Sequence, residues 1–60
     1  MKFSIIGMKE IEALKLLIYN EIPYRVVERN SIPYTLTRDY NPNRYNLSIK
    51  DGIIMKVTYG

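Results

Sequence analysis

The clearest periodicity lies between Lys9 and Asn20. Ile11, Leu14, Leu17 and Ile18 recur at i, i+3, i+6 and i+7 with Ala13 beside them, while Lys9, Glu10, Glu12 and Lys15 fall mostly outside that stripe. This spacing predicts an amphipathic helix over about 9–20. Glu10 and Glu12 suit the positive end of the helix dipole, and Gly7 punctuates the start. No Ser, Thr, Asp or Asn directly precedes Lys9, so the first turn is weakly specified. Asn20 and the Ile22–Pro23 step end the helix, because a residue before proline avoids helical backbone. Leu16 and Tyr19 lie off the stripe and either cover a core edge or form a contact surface.

The pattern then changes to period two. Residues 24–29 hold Val26 and Val27 among charged neighbours and predict a strand. Residues 44–50 alternate, with Tyr45, Leu47 and Ile49 on one face and Asn46, Ser48 and Lys50 on the other. Residues 53–59 alternate again, setting Ile53, Met55, Val57 and Tyr59 against Ile54, Lys56 and Thr58. Asp51–Gly52 joins these last two runs. A two-residue turn would put Leu47 opposite Lys56. A three-residue loop, Lys50 to Gly52, puts Ile49 opposite Ile53, Leu47 opposite Met55 and Tyr45 opposite Val57, and so keeps all apolar partners on one face. The second register is therefore expected. The helix stripe and the sheet face can bury each other, which predicts a single α+β domain over residues 1–60: one amphipathic helix packed on a small sheet as a two-layer sandwich.

Between the strands lies a segment without regular pattern, residues 30–43. Irregular connections of this length are uncommon in compact domains and are usually functional or disordered. This one contains no glycine and carries Pro33 and Pro42, which fix φ and stiffen the chain. Tyr34, Thr35, Leu36 and Thr37 favour extended backbone. The segment reads as a stiff, extended, exposed loop.

Composition narrows the chemistry. The chain has 60 residues with neither Cys nor His. Disulfides are excluded, as are the thiolate and imidazole ligands of common zinc sites, and no residue set suggests a catalytic base–nucleophile pair or a phosphate-binding glycine loop. No cofactor is expected. The net charge of +3 is spread over separate positions, and the six tyrosines read as amphipathic core cover, so the pattern disfavours nucleic acid as a partner. No run reaches the length of a membrane span. The stretch from Met1 to Gly7 starts like a leader but meets Lys9, Glu10 and Glu12 without a cleavage site. The expected location is cytoplasmic if the chain is complete and secreted if a leader was removed.

The string from Thr37 to Leu47, TRDYNPNRYNL, resembles the reactive loop and following strand of the potato inhibitor I family of serine protease inhibitors. It is similar to the pattern Thr-x-Asp-Tyr-x-Pro-x-Arg-Leu-Asn of the bacterial branch except at Tyr45. Gly7, the Glu12–Ala13 to Ile18 segment, Val26–Val27, Asp51–Gly52 and the closing Val57-Thr58-Tyr59-Gly60 follow the family's order, so the resemblance covers nearly the whole chain. Tyr59 stands where the branch has Cys, and the family's helix-capping Ser or Thr is missing.

The resemblance implies a mixed sheet, an exposed reactive-type loop and an inhibitor that imitates a substrate. Arg38 takes the specificity position, and Arg38–Asp39 is the bond offered for cleavage. Leu36, Thr37 and Tyr40 flank it. Arg44 is expected to reach back to Asp39 and Thr37, with Asn46 at the position of a second bracing residue. The implied partner is a trypsin-like serine protease, or another enzyme bound through loop 30–43. The residues alone are also compatible with an ordinary solvated turn at Thr37–Asp39. A non-catalytic interaction module, binding a host enzyme or a small ligand and free to pair with a second copy, is the alternative.

Overall fold

A computed structural model describes residues 4–60. Met1 to Phe3, part of the leader-like start, lie outside the described residues. The chain forms helix α1 (Glu10–Tyr19) and strands β1 (Tyr24–Arg29), β2 (Ile32–Pro33), β3 (Tyr45–Lys50) and β4 (Ile53–Tyr59). The strands make one mixed sheet in the order β2–β1–β3–β4, with β1 parallel to β3 and the other pairs antiparallel. The architecture is a small α+β domain with one helix on a four-stranded sheet. No helix among the described residues is long and apolar enough to cross a membrane.

The core consists of Ile5, Ala13, Leu17, Tyr45, Leu47, Ile49 and Ile54. The alternation of β3 places Tyr45, Leu47 and Ile49 there together, as its period predicts. The helix meets the core on a face rotated from the expected stripe. Ala13 and Leu17 are buried and Leu14 and Leu16 partly buried against the core, whereas Ile11 and Ile18 are about 60% exposed. The reason is width. A small sheet can cover only a narrow helical face, and the turn-spaced pair Ala13 and Leu17 lets the backbones approach.

Main-chain groups replace the missing cap. The Glu10 amide donates to the Gly52 carbonyl at 2.7 Å, so the β3–β4 turn closes the start of α1. At the other end Ile22 N–H donates to Leu17 and Glu21 N–H to Ile18, the Schellman pattern, with Glu21 at a positive φ of 56°. Ile22 packs against the core cluster that includes Leu17.

The β3–β4 register differs from the expected one. Asp51 and Gly52 form a two-residue turn with φ of 52° and 77°, and Lys50 faces Ile53 while Ile49 faces Ile54. Met55 is then an extra residue in a bulge, after which Ser48 faces Lys56 and Leu47 faces Val57. A bulge reverses the parity of the strand. It lets the tight turn and the buried face coexist, with Ile54 fully buried and Met55 55% exposed.

The segment 30–43 is also not irregular throughout. Asn30 and Ser31, both at positive φ, turn the chain so that Ile32 and Pro33 pair with Arg29 and Glu28. The irregular connection therefore starts at Tyr34 and ends at Arg44.

Leu47→Ala should destabilise the domain by about 2–5 kcal/mol, and Met55→Ala should change stability by no more than about 0.5 kcal/mol. Urea unfolding of both variants checks this. Equal losses would restore the three-residue loop and its register.

Candidate functional site

The connection from Tyr34 to Arg44 is held at its upstream foot first. The Tyr34 amide donates to the Val27 carbonyl at 3.0 Å. This bond continues the antiparallel pairing of β1 with β2 by one residue beyond Glu28 and Pro33. Arg29 donates from Nε to the Tyr34 hydroxyl at 3.0 Å and from both Nη atoms to the Glu10 carboxylate at 2.5 and 2.9 Å. The helix start, β1 and the loop entry thus share one guanidinium. Its hydrogen bonds hold the Glu10 carboxyl below the ordinary value and raise Arg29.

Downstream, the Asn41 carboxamide oxygen accepts from the Asn43 amide at 3.0 Å, and the Asn41 carbonyl accepts from the Arg44 amide at 3.0 Å. This side-chain turn uses the local bonding capacity of Asn and leads the chain into β3.

Between the feet every residue from Tyr34 to Tyr40 is exposed. Arg44 reaches back from the start of β3. Its Nε donates to the Gly60 carbonyl at 2.9 Å, Nη1 to the Asp39 carboxylate at 3.0 Å and Nη2 to the Asp39 carbonyl at 2.8 Å. The Thr37 hydroxyl donates to the other oxygen of Asp39. These bonds, Thr37 first and Arg44 second, hold the Asp39 carboxyl below its ordinary value. The side chain of Arg38, between the two tethered residues, makes no hydrogen bond or ion pair among the described residues.

Two expected roles are redistributed. Arg44 bonds Asp39 and Gly60 but not Thr37. Thr37 is bonded instead by Arg25, whose Nη1 lies 3.3 Å from its carbonyl and 3.4 Å from its hydroxyl. Asn46 does not bond the loop. It is nearly buried, and its carboxamide oxygen accepts from Arg25 Nε at 2.8 Å. Of the flanking residues, Leu36 is 43% and Tyr40 77% exposed. The Tyr40 ring lies close enough to Gly60 that a β-carbon there would sit 3.4 Å from it.

Arg25, Arg29, Tyr34 and Gly60 were not among the expected site residues. Arg25 had a signal: it alternates with the core-packed Tyr24 and Val26. Its partner could be found only from the parallel register that sets it beside Asn46. Gly60 acts through its main chain, which leaves no residue signature.

No family model, curated protein or solved structure matches the chain.

Glu10 and Asp39 are both depressed carboxyls, so their contacts are fully present above the ordinary carboxylate range and are lost as pH falls through the lowered folded-state values. Carboxyl NMR titration should place both below the values of about 4.3 and 3.9 seen for model Glu and Asp. Acidification should release Asp39 from Arg44, and Asp39→Asn should remove that step. An Asp39 midpoint at or above the model value would overturn the tether.

Proposed function

We propose that this chain is a substrate-like serine protease inhibitor with a potato inhibitor I-like fold, presenting Arg38–Asp39 to a trypsin-like enzyme. One observation carries the reading: the three-way bonding of Arg44, which ties both the side chain and the main chain of Asp39 to the end of β4 while Arg38 is left uncommitted.

Proteases bind substrate backbone as an added extended strand. A free peptide loses roughly 1–2 kcal/mol of conformational freedom per residue when ordered in that way, and a loop already held in shape avoids most of this. The acidic pocket of a trypsin-like enzyme takes a guanidinium, and Arg38 offers one at the exposed loop.

Slow release follows from the same bonds. The protease serine oxygen adds to the Arg38 carbonyl carbon, the C–N bond to Asp39 breaks, and the freed Asp39 nitrogen takes up a proton. Arg44 keeps that amine beside the acyl carbon. Deprotonated, it attacks the ester, re-forms the peptide bond and returns the serine hydroxyl, in competition with water. The chain itself performs no catalysis in this scheme.

Titration of trypsin with the wild-type chain should give stoichiometric loss of activity, with the Arg38–Asp39 bond mostly intact by mass spectrometry. Arg38→Ala should weaken inhibition by at least about thirtyfold, the equivalent of about 2 kcal/mol for a central arginine anchor. Arg38→Leu and Arg38→Met should shift inhibition towards chymotrypsin-like enzymes. Equal inhibition by wild type and Arg38→Ala would sink the assignment. Arg44→Ala should convert the protein into a slow substrate, and a mutant loop left uncut after long exposure would remove the bracing role.

A further inference from the structure

We propose that Arg25 is a second loop-positioning residue, aimed by the buried side chain of Asn46, and that it fixes the acyl side of the Arg38–Asp39 bond while Arg44 fixes the amine side. The consequence for cleavage rests on the inhibitor reading; the positioning itself does not.

The parallel pairing of β1 and β3 puts Arg25 and Asn46 side by side. Asn46 is only 8% exposed, and its oxygen takes the Arg25 Nε proton at 2.8 Å. A guanidinium is planar and rigid, so fixing Nε fixes where the Nη atoms point. Nη1 comes to the carbonyl and the hydroxyl of Thr37.

The direction of the hydroxyl follows from donor counting. Arginine has no acceptor, so the Thr37 oxygen must accept from Arg25. Its single proton is then free for Asp39, which as a carboxylate can only accept. Each donor meets an acceptor: Asn46 accepts from Arg25, Arg25 donates to Thr37, Thr37 donates to Asp39, and Arg44 donates to Asp39 and to Gly60. The bonds from Arg25 to Thr37 and from Thr37 to Asp39 run head to tail and reinforce one another. This chain begins on β3, crosses to β1, passes over both residues flanking Arg38 and returns to the start of β3.

Arg38 is therefore bracketed by two guanidiniums, one from β1 and one from the residue before β3. Hydrolysis adds water across the bond, leaving a carboxylate on Arg38 and an amine on Asp39. Arg25 holds the carboxylate fragment through Thr37, and Arg44 holds the amine. Without Arg25 the acyl half of the loop is held by side chains between Tyr34 and the bond only through the Thr37 hydroxyl on Asp39.

The test is nitrogen-15 relaxation on the free protein, with no protease present. In Arg25→Met the order parameters of residues 37–39 should fall from about 0.85 towards 0.6 or below, with residues 45–50 unchanged. Arg25→Lys keeps the charge but loses the planar fork that offers Asn46 and Thr37 separate nitrogens, and should be equally loose. Thr37→Val removes the hydroxyl bonds at an exposed position but leaves Arg25 on the Thr37 carbonyl, so it should loosen residues 37–39 less than Arg25→Met, and Thr37→Ser should restore them. Rigid residues 37–39 in Arg25→Met would overturn the proposal, as would full rescue by lysine. In a parallel assay, trypsin should cut Arg25→Met at Arg38 about tenfold faster than wild type, the loss expected for one charge-assisted hydrogen bond. A wild type that ignores trypsin while the relaxation changes occur would defeat the inhibitor reading alone. A wild type that inhibits trypsin while Arg25→Met stays rigid would defeat this proposal alone.

Discussion

The parallel pairing of β1 and β3 is the constraint from which the rest follows. A chain leaving β1 at Arg29 must travel back a full strand length before it can enter β3 at Tyr45 beside Tyr24. Parallel neighbours need a long crossover, normally a helix that satisfies its own backbone. Here the return is made by two residues of β2 and then by irregular chain from Tyr34 to Arg44. Irregular chain has no internal ladder, so its shape must be imposed from outside. Side chains of the two strands it connects impose it: Arg25 and Arg29 from β1, and Arg44 from the residue before β3.

The strength of these contacts suits ordering rather than stability. An exposed ion pair contributes only about 0–1 kcal/mol, and the Asp39 side chain is 60% exposed. The Arg44 side chain is only 13% exposed, because its stem is packed and its Nε is taken by Gly60. The flexible partner of an ordinary surface pair is thus already fixed, and little entropy remains to be lost when Asp39 docks. Arg44 also directly precedes Tyr45, Leu47 and Ile49, the strand that gives most to the core. The loop is fastened beside the most buried strand of a small domain.

Much of the fold was legible because single periodicities carry it. The helix and the inward face of β3 could be read from spacing, and β1 from its adjacent valines. What could not be read depends on register. The bulge at Met55 has no residue signature, and without it the alternation of β4 argues for the wrong turn. The turn before β2 uses Asn30–Ser31 in place of the usual Asn–Gly, and a two-residue strand containing Pro33 gives no period. In the loop, Arg44 and Asp39 lie close enough in sequence for their contact to be expected. Arg25 and Thr37 meet only because β1 lies against β3, and the role expected of Asn46 passed to the residue beside it.

Two tyrosines tie the same strand ends together. Tyr45 and Tyr59 are cross-strand partners with ring centroids 4.9 Å apart at an interplanar angle of 84°. Such an edge-to-face pair adds about 0.5–1.5 kcal/mol beyond burial. The next contacts lie beside it, where Gly60 N–H donates to the Arg44 carbonyl and Arg44 Nε donates back to the Gly60 carbonyl. Closing β4 against β3 and fixing the guanidinium that holds Asp39 are thus one event, and loop order in this protein is coupled directly to the integrity of its last strand.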